Sequence, residues 1–261
     1  MGFKNYLWDE AWELNVSRGK VRGASKITKF GANENVGTTM ETIWDAGGLY
    51  PWSEFNTATT VNIISTSTED DEDQGGGVEG TGAHRIKIEG LDADYNAISE
   101  TLITNGTSQR VSTTEFKRIF RAYVVKSGTD DTNAGTISIR VGTTTVAQIR
   151  VEGGQGLGQT FMTTYTIPAG YTGYVYHWNV STAKAFNLSA DADVYLVQRV
   201  NGEDSWRSQD IVHSNANSIE RTYTFPLKFE EKTDIEVRGY GSTAGIAISA
   251  TYQILLVQNN S

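Results

Sequence analysis

Thr136-Ile137-Ser138-Ile139-Arg140-Val141-Gly142-Thr143-Thr144-Thr145-Val146-Ala147-Gln148-Ile149-Arg150-Val151 decides the fold class. Apolar side chains recur at every second position on both sides of Gly142-Thr143-Thr144-Thr145. A period of two is that of a strand with one buried face, whereas a helix repeats near 3.6. Four residues between two such runs is a good hairpin length.

The same period extends outward in both directions. Val61-Asn62-Ile63-Ile64-Ser65 starts the pattern. His84 to Glu89 sets Ile86 and Ile88 against Arg85, Lys87 and Glu89. From Phe116 to Lys126, strict alternation places Phe116, Arg118, Phe120 and Ala122 opposite Lys117, Ile119, Arg121 and Tyr123. Thr160 to Ile167 leads into Pro168-Ala169-Gly170-Tyr171, where Pro at the first corner and Gly two residues on suit a tight turn. Gly173 to Ser181 alternates again, with Tyr174, Tyr176 and Trp178 on one face. Asp193–Val200, Ile219–Phe225, Asp234–Gly239 and Ile246–Val257 complete the series. Short strands separated by Gly, Asn, Asp and Ser turns predict an all-β fold: an antiparallel β-sandwich or jelly-roll-like domain over residues 53–261.

Residues 1–52 read differently. Phe3, Leu7, Ala11 and Leu14 recur at spacings of four, four and three, which predicts a short helix over 3–14. Gly19 and Gly23 end it. Thr28–Trp52 is rich in Gly, Asn and Thr, with aromatic rings interspersed, and reads as an extended N-terminal arm. Either the arm lies across a neighbouring subunit, or its rings cover an open face of the same domain. In the first reading Trp8, Trp12, Trp44, Tyr50 and Trp52 are the assembly contacts, because buried aromatic anchors dominate interfaces.

Composition removes several classes of function. The 261 residues include no cysteine, which excludes a disulfide framework, a thiolate metal site and a cysteine nucleophile. A net charge of −9 argues against nucleic acid as a partner. No apolar run approaches the roughly 18–20 residues of a membrane helix, and the first ten residues lack the apolar stretch of a secretory signal. Twelve tyrosines, nine phenylalanines and six tryptophans supply a core despite an apolar content of 38%.

Candidate chemistry is sparse. Glu69-Asp70-Asp71-Glu72-Asp73 lacks the spacing of a calcium loop and reads as a solvated, flexible, outward-facing segment. Asp92 and Asp94 read as an Asx turn rather than a glycosidase pair. His84, His177 and His213 have no zinc-binding spacing. The glycines at 153, 154, 156 and 158 connect two strands, whereas a phosphate cradle needs a following helix. The tyrosines at 171, 174 and 176 beside Trp178 invite sugar stacking, but aromatic rings are also ordinary cross-strand partners. No catalytic, cofactor-binding or metal-binding residue is assigned, and no cofactor is expected.

Several stretches resemble structural proteins of tailed-bacteriophage virions. They are Lys29-Phe30-Gly31-Ala32-Asn33-Glu34-Asn35-Val36 with Ile43 to Pro51, Ile88 to Asn96, Phe116 to Tyr123, and Tyr165 to Thr172. The resemblance implies a non-enzymatic, β-rich virion component, assembled in the host bacterial cytoplasm. It does not place that component on the head or in the tail; the leading expectation is a capsid decoration (cement) protein, a homotrimer that binds the major capsid protein. A tail-associated fibre, adaptor or host-surface binder is the alternative, with glycan contact a lesser expectation.

Overall fold

The computed structural model describes residues 12–183 and 191–259. In chain order, helix α1 (Trp12–Ser17) precedes β1 (Ala24–Val36) and β2 (Glu41–Thr42), and a 3-10 turn spans Trp52–Phe55. Then come β3 (Asn62–Ser65), β4 (Ala83–Leu91), β5 (Ala97–Ile103), β6 (Arg110–Val111), β7 (Arg118–Ser127), β8 (Ile137–Val141) and β9 (Thr144–Ile149). The ribbon β10 (Val151–Glu152) and β11 (Gln155–Gly156) follows, then β12 (Tyr165–Thr166) and β13 (Tyr171–Ala183). The last five are β14 (Asp191–Arg199), β15 (Arg207–Asn215), β16 (Ser218–Phe229), β17 (Asp234–Gly241) and β18 (Ile246–Gln258).

The fold is all-β, and the strand pairings among the described residues are antiparallel. The strands divide into small sheets: β1-β18-β13-β16, β12-β17-β14-β15 with β2 on β17, β6-β3-β8-β9, and β5-β4-β7. Two separate cores result. The first two sheets share one that contains Trp178, Phe229, Val237, Tyr252 and Ile254. The other two share a second, with Phe55, Ile63, Ile86, Phe116 and Ile139. We call these the terminal and central lobes. A single jelly-roll-like domain over 53–261 is therefore corrected to a group of small sheets around two cores.

The division at residue 52 is corrected too. β1 is no arm: it pairs with β18 from Ala24↔Val257 to Val36↔Ile246 and forms one edge of the terminal sheet. Gly31 and Asn33 look unsuited to a strand, and their surroundings explain them. A Cβ on Gly31 would lie 2.5 Å from the Ile43 carbonyl oxygen and 2.8 Å from the Thr163 nitrogen. Asn33 accepts from the Asn35 N–H and donates to Glu41. The chain thus begins in the terminal lobe, builds the central lobe, and returns. Of the helix expected over 3–14, residues 12–14 lie in α1, and the rest of that span falls outside the described residues.

The hairpin that opened the sequence reading is present. Val141 faces Thr144 across a turn with Gly142 at φ +58°. The Pro168–Tyr171 turn is present as well, closed by the Tyr171 N–H on the Pro168 carbonyl, with Gly170 at φ +75°. Pro168 sits one place earlier in the turn than expected. Bulges break the simple alternation at several places, two of which redirect core side chains. In β13 the register slips between Val175 and His177, so Val175 before the bulge and Trp178 after it both enter the terminal core. In β7 the slip lies opposite Glu89 and Gly90, and Ile119, Ala122 and Val124 all face the central core. An extra residue reverses the facing of every residue beyond it.

Candidate functional site

β7 lies on the boundary between the lobes. Its Ile119 enters the central core, whereas Arg118 and Phe120 reach towards the terminal lobe. These two side chains mark the two ends of one junction.

At the first end Arg118 meets Asp234 of β17. Nε and Nη2 donate to the two carboxylate oxygens at 2.8 and 2.9 Å. Arg199 donates to Oδ2 at 2.6 Å, and the Thr166 hydroxyl donates to Oδ1 at 2.6 Å. Asp234 is buried, so each of these donors offsets part of its desolvation. Aromatic rings fill the space around the charges. The Arg118 guanidinium lies 5.3 Å from the Trp52 ring, Arg199 lies 5.0 Å from Trp206, and Arg238 lies 4.3 Å from Trp206. Glu236 completes the cluster beneath Thr42 and Arg238. Burial pushes its carboxyl above the ordinary range, against the pull of Arg238.

This end accounts for three of the expected assembly contacts. Trp44 packs edge-on to Tyr50 at 5.1 Å, Tyr50 to Trp52 at 4.8 Å, and Trp52 tilts against Trp206 at 5.5 Å. Trp44, Tyr50 and Trp52 are buried in the chain's own central core. They are corrected from partner anchors to internal packing, the alternative in which the rings cover the same chain. Trp12 is half exposed on α1, and Trp8 lies outside the described residues.

The other end of the junction is open. Two cavities of about 610 and 390 Å3 lie between β1, β4, β7 and β12. They share Ile27, Glu89, Phe120 and Tyr165 in their walls, so they adjoin, and the two together are called the groove below. Phe120 and Tyr165 pack with ring centroids 4.9 Å apart. Lys29 lines the smaller cavity and is buried, with its ammonium donating to the Phe120 carbonyl oxygen. Burial pulls its pKa down to about 7, the nearby Arg121 adds to the fall, and Glu89 opposes it.

A second buried acid lies in the loop leading from β2. Asp45 accepts from the Phe161 N–H at 3.1 Å. Burial raises its pKa to about 7, partly offset by that bond and by Arg150.

The remaining sequence candidates resolve individually. Asp92 accepts from the N–H groups of Asp94 and Asn96, which is the expected Asx turn. The glycines from 153 to 156 form the β10–β11 hairpin. The acidic run is corrected from a solvated loop. Asp70 is fully buried and accepts from the Ala83, Ala134 and Gly135 N–H groups and the Ser65 hydroxyl. Glu72 pairs with Arg85 and Lys126. A carboxylate amid four donors organises a loop as a core residue does. Among the described residues no group of three or more His, Asp or Glu is placed to hold a metal ion.

Lys29, Phe120, Arg121 and the Arg118–Asp234 pair were not singled out from the sequence as site residues. Hydropathy treats a buried lysine as a surface one, and nothing local links position 118 to 234.

No protein-family model matches the chain, and no curated protein matches it. Among solved structures, the mosquito-larvicidal Cry4Aa toxin from Bacillus thuringiensis is 7% identical at a TM-score of 0.25, over 91% of this chain and 58% of the toxin chain. The chain therefore spans less than two thirds of that toxin's length. The infectious bursal disease virus VP2 subviral particle is 8% identical at a TM-score of 0.19, over 91% and 77%. Such similarity carries no argument about fold or function.

Proposed function

We propose that the chain is a non-enzymatic structural component of a virion. In this reading it is a capsid decoration protein, a homotrimer of small β-sandwich lobes seated on the major capsid protein. The observation that carries the proposal is the apolar surface at α1 and the edge strand β16. Trp12 is 52% exposed, Leu14 47% and Phe225 86%. Isolated exposed apolar residues need no explanation, but grouped ones mark contact surfaces. Here Trp12 and Val16 share a cavity of about 270 Å3 with Tyr174, Tyr176 and Pro226. Pro226 lies in the long slip of β16 between Thr222 and Leu227, and the neighbouring Phe225 is almost fully in solvent. We take the contact surface to be α1 and the sheet face beside it rather than the whole of residues 1–52. The sequence resemblance to tailed-phage virion proteins supports the same class.

The test uses heads and tails purified without this protein. The full chain is expected to sediment with heads and to raise their melting temperature. Variants Trp12→Ser and Phe225→Ser, or a chain lacking residues 1–11, are expected to stay in the supernatant while keeping the strand signal in circular dichroism. Unchanged occupancy by all three variants overturns the proposal. Binding to tails and not to heads replaces it with the tail-associated reading. Sedimentation equilibrium tests the trimer.

A further inference from the structure

The groove beside Lys29 has the build of a ligand site and is not used by the function proposed above. Its body is apolar: Ile27, Phe120, Ile98, Tyr171 and Leu256 line it together with Pro168. Its narrow end is cationic. Lys29 and Arg121 line it together with a single acid, Glu89, whereas Lys26 lies on the other face of β1 beside Tyr174. Glu89 is itself occupied, accepting from the Tyr123 hydroxyl and lying 3.4 Å from Lys87. A cationic end is unusual on a chain of net charge −9. Arg121 spends one N–H on Gln159 and leans on the Tyr123 ring, which leaves further donors of its guanidinium for another acceptor. A few convergent polar groups at one end of an apolar cleft is the usual form of a small-molecule site.

We propose that this groove binds a small amphiphilic anion, with its acid group between Lys29 and Arg121 and its apolar body along Ile27, Phe120 and Tyr165. Charge complementarity fixes the orientation. The head meets two cations at the narrow end, and the tail runs towards the wider cavity. Lys29 titrates near neutrality in the empty groove, and an anion beside it favours the charged amine. Binding therefore takes up a proton. Tyr165 stays protonated throughout, because burial raises its pKa.

The experiment is calorimetric titration of the full chain with octanoate and with 1-octanol, which has the same tail and no charge. It is run at pH 7 in two buffers of different ionisation enthalpy. One octanoate is expected per chain, with net proton uptake. 1-Octanol is expected to bind about tenfold more weakly. Arg121→Gln is expected to weaken octanoate by about tenfold and leave 1-octanol unchanged. Lys29→Met should abolish the proton uptake. Where Lys29→Met does not fold, Arg121→Gln and the buffer dependence of the native chain decide the matter. The proposal is overturned by equal affinity for acid and alcohol, by octanoate binding without proton uptake, or by no saturable octanoate binding below about 10 mM.

Discussion

The two ends of the interlobe junction are built from similar residues and behave oppositely. At one end Arg118 brings a cation into the protein and meets Asp234, Trp52 and Tyr95. At the other, Lys29 brings a cation in and meets a backbone carbonyl and a cavity. Arg118 stays charged because its hydrogen bonds with Asp234 outweigh the cost of burial, and its pKa is raised. Lys29 has no carboxylate in hydrogen-bond contact, so burial wins and its pKa falls. The difference lies in the partner rather than in depth. A buried charge with a bidentate partner locks two surfaces in register, whereas one without a counter-ion stays poised to respond.

The largest expected effect comes from breaking the closed end. Asp234→Ala leaves the buried Arg118 and the partly exposed Arg199 without their carboxylate and should cost about 3–5 kcal/mol, read from urea unfolding. The double variant Arg118→Met with Asp234→Leu should recover most of that loss, since it removes both buried charges. Failure to recover would mean that Arg118 matters chiefly through its other contacts, among them the Phe55 carbonyl.

Gly90 tests the wall between the two ends. A Cβ there would fall 2.0 Å from the Arg118 carbonyl oxygen, opposite the β7 bulge. Gly90→Ala should destabilise by about 1–3 kcal/mol and should disturb the groove as well, because Gly90 lines it.

At the open end the signature is pH dependence. Lys29 is neutral in the folded chain above about pH 7 and charged in the unfolded chain up to its ordinary 10.5. The unfolded state binds more protons across that window, so stability from this group rises with pH from 7 to 10.5. The burial cost is full below 7. Lys29→Met should therefore melt higher than the parent at pH 6, with the gain fading towards pH 10.5. Asp45 runs the other way. Its folded pKa of about 7 exceeds the ordinary 3.8, so its cost appears as pH rises from 3.8 to 7. Asp45→Asn should gain stability above pH 7 and nothing below about pH 4. Parallel melting curves for parent and variants across pH would refute both assignments.

The smallest effect belongs to the rim of the closed end. Trp206→Ala removes the ring under Arg199 and Arg238 and should cost about 1 kcal/mol, measured by thermal melting.

The sequence reading succeeded where the physics is local. Period-two runs, Gly142 in its turn and Asp92 in its Asx turn depend on neighbours in the chain. The reading failed where distant segments meet. β1 was read as an arm because Gly31 and Asn33 weaken its alternation, and the backbone approach of Ile43 and Thr163 that requires Gly31 cannot be seen locally. The rings at 44, 50 and 52 pack within their own chain, and aromatic spacing does not say which surface it covers. The two bulges moved Trp178 and Ala122 to faces that alternation denied them. Asp70 was hidden among carboxylates that do reach solvent.

The terminal sheet joins β1 to β18, pairing Ile27 with Ile254. On a ribosome, β1 therefore emerges long before β18 and waits with that edge unsatisfied. The central lobe, from Trp44 to Met162, has all its strands long before then and is free to fold as a unit. A chain interrupted before β18 would carry a finished central lobe and a terminal sheet whose edge strand has nothing to pair with. The unpaired edge of such a product is a ready template for aggregation.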